Sequence, residues 1–137
     1  MLFHASCVAI GGRAVLIAGE SGAGKSDLAL RLIDRGAVLV SDDQVMLSAE
    51  EGQLIASAPA TIAGQIEVRG LGIMAMPHRT AMPVSLLIEL GAPAERMPEP
   101  RTRTLCGFAV PVVALDPFEA SAPIKAELAL REWGLEP

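Results

Sequence analysis

Residues 14–26 read AVLIAGESGAGKS, an apolar run (14–18) that leads straight into the loop GESGAGKS (19–26). Gly19, Glu20, Ser21, Gly22, Ala23, Gly24, Lys25 and Ser26 fit the pattern Gly-x-x-x-x-Gly-Lys-Ser without departure. Glycines remove the Cβ atoms that would stop backbone N–H groups from turning inward, so such a loop makes a concave anion site. The helix expected to begin here points its positive end at the same place. Lys25 adds a mobile charge for the β and γ phosphates, and Ser26 offers a hydroxyl to Mg²⁺. A strand before the loop and an amphipathic helix after it separate this reading from an incidental glycine-rich turn. The loop is expected to hold a nucleotide phosphate chain.

Outward from the loop, Lys25 to Asp34 reads as a helix with Leu28, Leu32 and Ile33 on one face and Gly36 beyond its end. A second helix is predicted from about Ser121 to Trp133, with Ser121 as cap, Pro123 in the first turn, and Ile124, Leu128 and Trp133 at helical spacing. Strand-like runs fill most of the rest: 7–10, 14–18, 37–40, 45–47, 53–57, 66–68, 72–76, 84–90 and 108–115. The stretch GAPAERMPEPRTRT (91–104) holds three prolines and three arginines and reads as a long loop of the functional kind. No repeat or linker divides the chain, so residues 1–137 are expected to form one sheet-rich α/β domain.

After the first helix and the run VLV stand Ser41, Asp42 and Asp43. Open α/β sheets place ligands at the carboxyl ends of strands. If the strand ending at Ser41 lies beside the one feeding the loop, both carboxylates approach the phosphates, one toward Mg²⁺ and the other toward an attacking hydroxyl. An acidic turn that merely ends a strand is the plainer alternative.

Composition narrows the partners. The net charge of −5 and the scarcity of aromatic residues (three Phe, one Trp, no Tyr) argue against nucleic acid. No apolar run is long enough to span a membrane, and the N-terminus lacks the features of a secretory signal. Cys7 and Cys106 are too few for a disulfide framework, so a cytoplasmic location is expected.

The stretches GESGAGKSDLALRLIDRGAVLVSDD (19–43) and IEVRGLGI (66–73) resemble the catalytic domain of the HPr kinase/phosphorylase family. The signature Glu67, Val68, Arg69, Gly70 is more specific to that family than the phosphate loop. The resemblance covers nearly the whole chain. It implies a P-loop nucleotide-binding fold of the phosphoenolpyruvate-carboxykinase-like/HPr kinase type. It also implies ATP and Mg²⁺ as cofactors, the phosphocarrier protein HPr as serine acceptor, and a homo-oligomer, hexameric in the family. By the same resemblance, His4 matches a catalytic His and Asp43, with Asp42 beside it, the proton acceptor. Glu67 matches a metal-contacting carboxylate, and Arg96 the loop Arg needed for catalysis, with Arg101 and Arg103 as rivals. Read without it, His4 is a strand residue, Glu67 and Arg69 form a surface ion pair, and the three arginines are solvated loop charges.

The chain departs from the family pattern in three places. It has three residues before His4 where full-length members carry a further domain, Ala5 where Gly is usual, and LDPFEASAP (115–123) where a Gly- and Arg-containing stretch serves dephosphorylation. It resembles the short α-proteobacterial form, and kinase chemistry is better supported than phosphorylase chemistry. Two other classes compete: a small-molecule kinase or nucleotide hydrolase with the same loop, and a nucleotide-sensing interaction module.

Overall fold

Alternating apolar and polar runs with glycine-containing turns between them give a chain made mostly of strands. The computed structural model describes residues 1–93 and 95–137. In chain order the elements are β1 (Leu2–Phe3), β2 (Ala5–Ile10), β3 (Arg13–Ala18), α1 (Lys25–Asp34), β4 (Val38–Ser41), β5 (Val45–Glu50) and β6 (Gln53–Ser57). A 3₁₀ turn (Ala60–Ile62) follows, then β7 (Gln65–Val68), β8 (Gly72–Ala75), β9 (Met82–Leu90), β10 (Arg101–Leu105), β11 (Phe108–Leu115) and α2 (Ala122–Trp133).

Nine strands form one branched sheet, with β7 and β8 as a separate hairpin. The path runs β1-β5-β6-β9-β3-β2-β4, and β11 and β10 extend from β9. Strand β9 is the junction: Met82 and Pro83 pair with β6, whereas residues 84–89 pair with β3, in parallel, and residues 87–90 with β11, also in parallel. The loops after β3 and β11 therefore open at the same edge of the sheet. Strand β2 lies between β3 and β4, antiparallel to both, so the strand ending at Ser41 is one removed from the strand feeding the loop.

Each face of the sheet buries its own core. One gathers Phe3, Leu16, Val40, Leu47, Leu87 and Leu105 under the β1-β5-β6 layer. The other packs Val15, Ile17, Leu28, Leu32, Ile88 and Leu130 beneath the helices. Each fully buried aliphatic side chain contributes roughly 1.5–3 kcal/mol of burial free energy, which gives the strands a rigid bed for the loops at their ends.

Helix α1 occupies the predicted span. It ends with Gly36 at φ 111°, where the N–H of Gly36 donates to Ile33 and that of Ala37 to Leu32, satisfying the last carbonyls. Helix α2 corrects the sequence reading at its cap. Ser121 adopts helical backbone angles and makes no side-chain cap. Ile124, Leu128 and Trp133 are exposed, while Ala122, Pro123, Ala126, Ala129 and Leu130 face the sheet. Small side chains let the helix axis come close to the strands, so the inward face is the alanine face. The stretch 91–104 is also not all loop, because Arg101 begins β10, which pairs with β11 across Leu105↔Phe108. In addition, Arg69 stands in the turn after β7 and not on a strand beside Glu67, and no Glu67–Arg69 ion pair forms among the described residues.

Candidate functional site

The loop from Gly19 to Ser26 joins β3 to α1, and two of its glycines are required by geometry. Gly24 sits at φ 101°, in the left-handed region that disfavours any side chain. A Cβ at Gly19 would lie 3.0 Å from the Cβ of Ala23 and 3.2 Å from that of Leu90. Lys25 is buried, and its Nζ donates to the carbonyls of Gly19 and Glu20, both at 3.0 Å. The ammonium thus lies inside the turn of the loop, held by those two carbonyls.

The two adjacent aspartates diverge. Asp42 is 8% exposed, and its carboxylate is filled with partners. Ser26 donates to Oδ1 at 2.6 Å, Ser6 donates to the same oxygen at 2.9 Å, and the Glu67 backbone N–H donates to Oδ2 at 2.9 Å. Asp43 has φ 65°, which turns its side chain the other way, and that side chain is 59% exposed. Its Oδ1 meets His4 Nε2 at 3.0 Å and lies 3.7 Å from Lys25 Nζ. Asp42 thus ties the loop, β2 and β7 together, while Asp43 presents a carboxylate to solvent beside the loop lysine.

A cleft of about 350 Å³ opens in front of the pair, with Asp43, Gln65 and Glu67 on its polar side and Ile62 and Ile73 on its apolar side. Ser26 Oγ and the Asp42 carboxylate form an all-oxygen donor set, the kind Mg²⁺ takes while keeping several waters. Among the described residues no group of three or more His, Cys, Asp or Glu is placed to hold a metal, so a protein-only cage is not what this site offers. The Glu67 side chain is exposed at the cleft, and its direct link to Asp42 runs through its backbone.

The loop arginines separate. Arg101 donates to Glu89 at 2.7 Å, and Arg103 lies 3.7 Å from the same carboxylate and 5.2 Å above the Phe3 ring centre. Arg96 is exposed, and among the described residues no ion pair joins it to the aspartates or to any other side chain. The Pro- and Arg-rich segment lines a second cavity of about 780 Å³ with β11 and Trp133, and no residue lines both cavities.

Ser6 is the residue of this cluster that sequence reasoning missed. Besides donating to Asp42, its Oγ accepts the Asp43 N–H at 3.1 Å. One signal was present: a hydroxyl inside the otherwise apolar strand ASCVAI, buried completely, must find polar partners.

Comparison with known proteins places this geometry. Residues 1–92 match the family model described as HPr Serine kinase C-terminal domain. An HPr kinase/phosphorylase from Clostridium tetani is 51% identical over 74 residues, 54% of this chain and 24% of that protein. One from a Geobacillus species is 45% identical over 95 residues, 64% of this chain and 30% of that protein. The matches thus span about a quarter of the length of these relatives. The solved Hpr(Ser) kinase/phosphatase of Coxiella burnetii superposes with a TM-score of 0.83 at 35% identity, over 96% of this chain and 94% of that one.

Proposed function

The chain belongs to the HPr serine kinase C-terminal domain family, and from that premise we propose that it is an ATP-dependent kinase of a serine on HPr. The observation that carries the reading is the convergence of His4, Lys25 and Asp43 at the mouth of the phosphate loop. A phosphate-binding ammonium and a proton acceptor are side by side there, with the proton acceptor open to solvent.

In this reading the residues take distinct roles. Loop amides and Lys25 seat the phosphate chain of ATP, with Lys25 exchanging the Gly19 and Glu20 carbonyls for phosphate oxygens. Asp43 takes the proton of the acceptor serine as the new O–P bond forms and the bond to the leaving ADP breaks. His4 holds Oδ1 of Asp43, which leaves Oδ2, without a partner among the described residues, for the acceptor hydroxyl. Ser26 and Asp42, with Glu67 at the rim, would hold Mg²⁺, which would neutralise phosphate charge. Arg96 is the arginine available to an arriving partner, since Arg101 and Arg103 are engaged with Glu89. The open cleft with its apolar wall at Ile62 and Ile73 suits a protein segment better than a small metabolite.

The same reading covers the setting: residues 1–137 acting as one catalytic domain, in the cytoplasm, as a homo-oligomer of the hexameric kind. No helix among the described residues is long and apolar enough to cross a membrane. The test is mass spectrometry of HPr from the same genome after incubation with the protein, ATP and Mg²⁺, with a Lys25→Ala variant in parallel. A serine phosphate with the parent protein and none with the variant is the expected result. Unmodified HPr under conditions where ATP binds would overturn the kinase reading and favour a nucleotide-sensing module.

A further inference from the structure

The loop after β11 carries an aromatic ring that the phosphate site leaves unused. Since β3, β9 and β11 run parallel, this loop opens at the same sheet edge as the phosphate loop, two strands away. Phe118 lies in it and is 80% exposed. The chain has only three Phe and one Trp, and an aromatic ring left this open forgoes a large burial gain.

The turn that carries the ring is held in place. The Phe118 N–H donates to Asp116 Oδ1 at 2.9 Å. Arg31 of α1 donates to the carbonyl of Pro117 and, at 3.4 Å, to that of Glu119, which ties the turn to the helix that the phosphate loop begins. The turn reaches the loop itself: a Cβ at Gly24 would stand 3.2 Å from Cγ of Pro117 and 3.9 Å from Cε1 of Phe118. An anchored turn thus carries a flat apolar face at the rim of an anion site that reads as a nucleotide phosphate cradle.

We propose that Phe118, backed by Pro117, is the platform on which the nucleobase stacks when the phosphate chain lies in the loop. The inference rests on the nucleotide reading of that loop and adds the base subsite to it. Stacking uses the π-face common to all bases, so ATP and GTP are held alike, and the platform adds affinity rather than base selection.

Calorimetric titration with ATP and with inorganic tripolyphosphate separates the base from the phosphate chain. Phe118→Ala weakens ATP binding about tenfold and leaves tripolyphosphate binding within about twofold of the parent. Phe118→Trp keeps the ATP affinity and shows indole fluorescence quenched by the nucleotide. Equal weakening of both ligands, or no weakening of ATP, overturns the platform; so does a Phe118→Ala variant with parental ATP affinity and an altered sedimentation state, which would make the ring a self-association contact. A parent protein that binds tripolyphosphate as tightly as ATP contradicts the platform alone. One that binds neither contradicts the nucleotide reading and the platform together.

Discussion

The Ser6 hydroxyl donates to Oδ1 of Asp42 across 2.9 Å, in the completely buried interior of β2. The Ser6 Oγ in turn accepts the Asp43 N–H, so one small side chain fixes two neighbouring aspartates that face opposite ways. The Asp42 carboxylate stays on Ser26, and the left-handed backbone of Asp43 is held where its own carboxylate meets His4.

Removing that hydroxyl leaves a buried donor and part of a carboxylate without a partner. Ser6→Ala is expected to lower kcat for phosphoryl transfer about tenfold, because small misplacements of a catalytic group are expensive in rate. The ATP affinity, set by the loop, stays near the parental value. Ser6→Thr keeps the hydroxyl on a strand that favours β-branching and restores much of the rate. Steady-state kinetics on the three proteins check this, and an unchanged kcat in Ser6→Ala refutes it.

Gly24→Ala meets two obstacles at once, the positive φ and the Pro117 ring. The backbone term alone costs about 1–2 kcal/mol. A fall of roughly 5 °C in Tm, with loss of ATP binding, is expected by thermal denaturation and calorimetry.

The two thiols differ by burial. Cys7 is completely buried and its pKa is pushed far above the ordinary thiol range by desolvation, whereas Cys106 is exposed in the β10–β11 turn. Only the thiolate reacts. Alkylation of the folded protein at mildly alkaline pH should label Cys106 alone, and Cys7 should become reactive only in denaturant. Peptide mass spectrometry reads the outcome.

Helix α2 offers a paired test of which face it buries. Ala126→Leu inserts bulk at a completely buried contact and is expected to cost about 1–3 kcal/mol in urea denaturation. Leu128→Ser, on the outward face, should change stability by about 0.5 kcal/mol or less.

The phosphate loop, the span of α1 and most strands are legible because each is written in local pattern: Gly-Lys-Ser at a strand end, apolar period, glycine at a helix end. What escaped the sequence has non-local causes. The buried face of α2 was not legible because size is no guide where alanines set a close approach. Strand β10 was hidden because RTRTL lies at the sheet edge and follows prolines, and its pairing comes from Phe108–Leu115 downstream. The role of Ser6 depends on partners 36 and 37 residues away, brought near only when β2 inserts between β3 and β4. The division of labour between Asp42 and Asp43 follows from one positive φ, which adjacent aspartates in a sequence do not announce.

The central claim, that Asp43 takes the proton from an acceptor serine at the phosphate loop, is tested most directly by the single-turnover rate of phosphate transfer to HPr in Asp43→Asn. A loss of about 10²- to 10⁴-fold is expected, with ATP affinity close to the parental value. Transfer at the parental rate in Asp43→Asn would contradict it.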